Sequence, residues 1–304
     1  MEFSDDLFLP LQQEELPPET ERPTLTFWQD VRHRFFRNRL ATVGMAIILV
    51  LVIMAIIGPY LTPYSYSEQI LIQKNIAPSG QHWFGTDDLG RDMFSRSWYG
   101  ARISLFIGFM AALIDLIIGV IYGGISGYFG GKVDEVMMRI VEILYGLPYL
   151  LMVILLMVVM GPGLFTIIAA MTATGWVNMA RLVRGQVLQL KEQDFVFVAR
   201  SLGASLPRIL TRHLVPNTIG PVIVNMTLTI PTAIFGEAVL SFLGLGVPAP
   251  LASWGTMANE GLSSILDGDV WQLFIPAVLI SLTMFAFNSV GDGLSEALDP
   301  KLRK

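Results

Sequence analysis

Cysteine is absent from the 304 residues, so neither a disulfide framework nor a thiolate metal site can form. Histidine is nearly absent too. His33, His82 and His213 stand alone, and no H-E-x-x-H or related ligand spacing exists to support a metalloprotease. The chain has no G-x-S-x-G elbow and no serine with a histidine partner in an apolar run. The stretch Gly130-Gly131-Lys132-Val133 lacks both the glycine five positions before Gly131 and the hydroxyl residue after Lys132, so no phosphate loop is present. Gly244 to Ala249 imitates part of a dinucleotide fingerprint but closes an apolar run and leads into prolines. These gaps leave no catalytic, metal or cofactor-binding residue to assign, and the chain is not expected to be an enzyme or to bind nucleic acid. No repeat of 20–50 residues is visible.

Charge is also scarce, at 15% of residues against 53% hydrophobic. The apolar residues fall in continuous runs. A bilayer core needs roughly 20 apolar residues per helix, because backbone polar groups must be paired internally in hydrocarbon. Six runs qualify, at about 40–61, 103–125, 143–161, 164–183, 218–240 and 271–290. The first and third carry no charge. The second holds Asp115, the fourth ends in Arg181, and the fifth contains Pro221, Pro231 and Glu237. The expectation is an all-α integral membrane protein with six transmembrane helices.

The net charge of −5 is set by residues 1–21, which hold seven acids and no base. Residues 1–26 read as a disordered acidic tail. The acidic start and the length of the run from Leu40 argue for a retained anchor, not a secretory signal. Residues 27–39 place Trp28, Val31 and Phe35 at helical spacing beside Arg32, Arg34, Arg37 and Arg39. This pattern fits an amphipathic helix on an anionic leaflet, or a plain juxtamembrane stop signal. Six spans put both termini on one side. That side's segments hold 16 of the 20 Lys and Arg, leaving Lys74, Arg91, Arg96 and Arg102 opposite. The positive-inside bias then makes both termini cytoplasmic, and with them the segment 184–217. The loops 62–102 and 247–270 face the other side and either meet a partner there or serve as structural caps.

An ionised carboxylate at the position of Asp115 costs ~3 kcal/mol on insertion scales. Two roles suit it: a proton or cation relay, or a protonated or hydrogen-bonded side chain at a helix interface near Asn178, Asn225 or Asn288.

Between Arg181 and His213 lie six bases and two acids. Phe195, Val198, Ala199 and Leu202 fall at i, i+3, i+4 and i+7, a helical stripe. Gly203 suits a left-handed helix end, Ser205 a cap on a second helix with Pro207 in its first turn, and Pro216 a break before the fifth run. The stripe needs cover, and pattern alone allows either this chain's own helix ends or a groove on a partner.

The stretch "FVFVARSLGASLPRILTRHLVPN" (195–217) resembles the EAA loop of ABC-importer permeases, with its glycine at Gly203 and its closing Leu-x-Pro at Leu214–Pro216. Phe197-Val198-Ala199 stands where the family has Glu-Ala-Ala, so the acid is missing. Segments 82–105, 127–148, 241–261 and 291–301 resemble oligopeptide and dipeptide permeases of the C-subunit type, and the likeness runs over about residues 27–302. The resemblance implies a type I importer permease fold over residues 40–304 in a bacterial inner membrane. It implies a homologous second permease, two ATPase subunits that bind ATP and Mg, and an extracytoplasmic peptide-binding protein as partners. The coupling contact then falls on Phe195, Val196, Val198, Ala199, Arg200, Leu202, Gly203, Ala204 and Ser205. Candidate contacts for the binding protein are Asp87, Asp88, Arg91, Asp92, Trp254 and Glu260, although the charged ones among 87–92 suit local turns and caps equally. An ion-gradient-driven secondary transporter is the alternative, as is an importer of this family for nickel chelates or another small solute.

Overall fold

The computed structural model describes residues 26–299, and no strand is formed among them. The acidic tail therefore lies outside the described residues, except for Thr26, whose backbone N–H donates to Gln29 at the first turn of α1 (Phe27–Arg37). Val31 and Phe35 of α1 are buried against Val290 and Ala297, while Trp28 is exposed. The stripe thus splits: two members pack on this chain's own last helix, and the third is exposed with its ring edge-on to Phe27.

Asn38 ends α1 and caps α2 (Arg39–Ile57), its side chain accepting from the Ala41 N–H at 3.1 Å. The far end of α2 is closed by Arg102, whose guanidinium donates to the carbonyls of Ala55 and Ile56. Helix α3 (Met93–Phe129) is much longer than the run 103–125 that betrays it, at 37 residues or roughly 55 Å. Its start is fixed by Asp92, which accepts from the Ser95 N–H at 2.8 Å.

The third run does not form one straight helix. Its apolarity is continuous, but Pro148 lacks an N–H and drives Leu147 to an extended ψ of 129°. The chain therefore breaks into α4 (Gly131–Gly146) and α5 (Tyr149–Met160), bent by 87°. At 12 residues, α5 is about 18 Å long, short of a ~30 Å hydrocarbon core. Helix α6 (Leu164–Leu190) outruns the fourth predicted segment by two turns.

Two further expectations fail at the start of the fifth run. After α7 (Asp194–Ser201) and the short α8 (Leu206–Ile209), Ser205 makes no side-chain cap. Pro216 does not interrupt the path either. A π-helical turn over Leu210–Leu214 widens the backbone just before it, and α9 (Val215–Phe242) continues, so Leu206–Phe242 is one helical rod. The chain ends with α10 (Trp254–Glu260) and α11 (Trp271–Leu298). Among the described residues four helices are long and apolar enough to cross a membrane, or five if the bent α4–α5 pair is one span.

The centre of the bundle is the pairing of α3 with α6. Gly119, Gly123 and Gly127 recur every fourth residue on α3, and a Cβ at any of them would overlap Met179, Ala180 or Arg184 of α6. Small residues at this spacing let two helices approach backbone to backbone. Helices α2, α9, α10 and α11 surround this pair around Phe94, Trp98, Ile234, Trp254 and Leu279.

Candidate functional sites

At the C-terminal end of α3 the segment Asp194–Leu214 projects from the bundle. Val196 is turned inward and fully buried with Val183, Val187, Ile209 and Leu214. The remaining apolar residues of α7 point away: Phe197 is 70% exposed, Val198 53% and Leu202 82%, with Phe195 also exposed. Ala199 and Ala204 are half-buried, and Arg200 is exposed with its guanidinium 5.8 Å from the Tyr128 ring centre. Gly203 takes φ +78°, and its N–H donates to the Arg200 carbonyl at 2.9 Å while that of Ala204 reaches Ala199 at 3.1 Å. This is the left-handed termination a helix needs to satisfy its last carbonyls. The turn presents Leu202 and Ser205 to the outside.

The platform under this segment is held by groups that spacing did not single out. Arg184 of α6 donates through Nε and Nη2 to Asp134 of α4, and Ser126 of α3 also donates to Asp134. Lys191 Nζ donates to the Gly127 carbonyl at 3.1 Å. The Arg184 hydrogen bond holds the Asp134 carboxyl below its ordinary range. Phe197 is the other residue missed: it is the most exposed aromatic of the loop, but it falls off the i, i+3, i+4, i+7 stripe.

At the N-terminal end of α3, four of the six candidate contact residues are inside the molecule. Asp87 accepts from the Leu89 and Arg91 N–H groups at 3.0 and 2.9 Å and pairs with Arg91 Nε at 2.6 Å. Asp92 caps α3 and takes His82 Nδ1 at 2.9 Å on its second oxygen. Trp254 is fully buried, donating from Nε1 to the Ser97 carbonyl at 2.9 Å. Glu260 Oε2 receives Arg91 Nη2 at 2.8 Å and Arg96 Nη2 at 2.7 Å, tying α10 to this turn. Asp87, Arg91 and Asp92 are buried in the turns and caps that were their alternative reading, and Trp254 is buried in the core. Asp88 and Glu260 stay exposed.

Midway along α3, Asp115 lines a polar groove of about 390 Å³ together with Asn178, Asn225, Thr229 and Thr232. Asn288 is not among its walls. Asp115 is 6% exposed, and its buried Oδ1 accepts no hydrogen bond from the described residues.

Long apolar helices, a buried glycine seam and an exposed apolar elbow describe an integral membrane protein. Residues 116–304 match the family described as binding-protein-dependent transport system inner membrane component, and residues 26–78 match the N-terminal TM domain of oligopeptide transport permease C. The chain belongs to the inner membrane components of binding-protein-dependent transport systems. It is 62% identical over 284 residues to the dipeptide transport system permease protein DppC of Bacillus subtilis, covering 93% of this chain and 89% of that protein. Identity to the oligopeptide transport system permease protein OppC of B. subtilis is 60%, over 93% and 92% of the two chains. With OppC of Escherichia coli K12 it is 42%, over 91% and 92%. Among solved structures, an inward-facing MetNI methionine ABC transporter chain superposes with a TM-score of 0.47 at 20% identity, over 64% of this chain and 94% of that one.

Proposed function

We propose that this chain forms half of the membrane pathway of an ATP-driven importer of short peptides. It crosses the inner membrane six times with both termini cytoplasmic, counting the run 143–161, broken at Pro148, as one span and the less apolar α6 as another. A homologous permease completes the pathway, two ATPase subunits bind ATP and Mg, and an extracytoplasmic binding protein delivers the peptide. The chain itself carries out no catalysis and binds no cofactor.

The elbow Phe195–Ser205 seats in a groove on an ATPase. Phe195, Phe197, Val198 and Leu202 are its anchors, Val196 fastens it to the bundle, and Gly203 sets its angle. On the outer face Asp88 and Glu260 meet the binding protein, held in place by the buried arginines beneath them. The observation that carries this reading is the near full-length likeness to peptide permeases, joined to an apolar helix face left exposed among the described residues. Purification from the native membrane should bring out the four kinds of subunit together. The reconstituted complex should take up peptide only with ATP inside and binding protein outside. Uptake by this chain alone on an ion gradient would overturn the reading.

A further inference from the structure

We propose that Asp115 and the groove around it form the subsite that receives the ammonium group of a peptide in transit, an inference that rests on the importer reading above. The groove is built from four helices: Asp115 on α3, Tyr149 on α5, Asn178 on α6, and Asn225, Thr229 and Thr232 on one face of α9. Asp115 lies near the middle of the apolar run 103–125, the part of α3 suited to the hydrocarbon core. No Lys, Arg or His lines the groove. A buried carboxylate at that depth is normally paired with a base or fully hydrogen-bonded. Here Oδ1 has no partner.

The neighbouring hydroxyls define what would satisfy it. Thr229 donates its proton to the Asn225 carbonyl at 2.9 Å, and Thr232 donates to Thr229 at 2.7 Å, both back into their own helix. Their free lone pairs are therefore acceptors. The Asn178 and Asn225 amides and the Tyr149 hydroxyl bring donors as well as acceptors, but the one charge-bearing group in the lining is the Asp115 carboxylate, so a ligand with N–H donors and a positive charge complements it. A primary ammonium with the adjoining peptide N–H has this chemistry. Gly175 of α6 fixes the carboxylate's place, because a Cβ there would overlap both Asp115 oxygens.

The test is uptake of radiolabelled trialanine by the complete complex in proteoliposomes, with ATP hydrolysis stimulated by the binding protein measured in parallel. Asp115→Asn should lower uptake roughly tenfold while stimulated hydrolysis stays within about twofold, because a charge-assisted contact is lost and the coupling machinery is untouched. Asp115→Glu should restore most of the uptake. Gly175→Ala keeps the charge but displaces it, and should also uncouple uptake from hydrolysis; it decides the question if Asp115→Asn fails to assemble. Wild-type uptake in the assembled variants overturns the subsite, and so does a parallel fall in uptake and hydrolysis, the mark of a merely structural residue. A wild-type complex that moves no peptide would instead overturn the importer reading.

Discussion

Arg184 and Asp134, 50 residues apart, meet at two points, Nε to Oδ1 at 2.5 Å and Nη2 to Oδ2 at 2.6 Å. The pair joins α6 to α4 directly beneath the projecting elbow, and with the Lys191 contact to Gly127 it makes the elbow's base a rigid body. A planar fork on a carboxylate is stiff in both position and orientation.

Removing the charge from one partner tests that base. Asp134→Asn should lower the melting temperature of the detergent-solubilised complex by several degrees, since hydrogen bonds to charged groups contribute about 1.5–3 kcal/mol before solvent screening of the partly exposed Arg184. The pH dependence has a definite sign. Because the folded carboxyl lies below its ordinary value, its stabilisation is present above an unfolded pKa of about 3.9 and is lost as pH falls through the folded one. Thermal melts of wild type and variant should therefore converge in strong acid.

The two faces of α7 should respond oppositely to substitution. Leu202→Glu alters a residue that is 82% exposed and should leave the chain's folding unchanged, yet abolish ATP hydrolysis stimulated by the binding protein. Val196→Asp places a carboxylate among Val183, Ile209 and Leu214 and should prevent accumulation of the complex. Quantifying assembled complex beside hydrolysis separates the effects. Equal behaviour of the two variants would count against the elbow as a docking face.

At the other end, Glu260→Gln leaves Arg91 and Arg96 beside a neutral acceptor. Both guanidiniums are buried, but Glu260 itself is exposed, so screening holds the loss to roughly 1–2 kcal/mol. Thermal melts should show this destabilisation, which stays modest because Asp87 Oδ2 remains 2.6 Å from Arg91 Nε and 3.4 Å from Arg96 Nε.

Much of this was legible in the chain, and what was not has physical causes. Hydropathy finds the apolar runs but is blind to Pro148, whose ring bends a charge-free stretch by 87°. Eight residues of α7 span barely two turns, so periodicity finds a stripe without saying which side faces home; Val196, off the stripe, proved to be the anchor. Arg96 and Glu260 are 164 residues apart and no local pattern links them. The glycines at 119, 123 and 127 have a spacing that lets membrane helices approach closely, but hydropathy weighs only their apolarity and passes over it; the seam is visible only once α6 is packed against them.

That seam yields the sharpest contrast between adjacent residues. Gly123 faces α6 so closely that a Cβ would overlap the carbonyl of Ala180, and the obstacle is backbone, which cannot turn aside. Gly124, one position along, has nothing within 4 Å of where its Cβ would be. Alanine raises helix propensity at either site by about 1 kcal/mol, so propensity alone predicts that both variants gain. Close packing predicts a split. Gly123→Ala must push α3 off α6, lose the contacts of the neighbouring glycines and lower the yield and melting temperature of the folded chain, while Gly124→Ala should match or exceed wild type. Melting curves of the two variants in one detergent decide it: a Gly123→Ala chain as stable as wild type would mean that the two helices are not held at backbone contact.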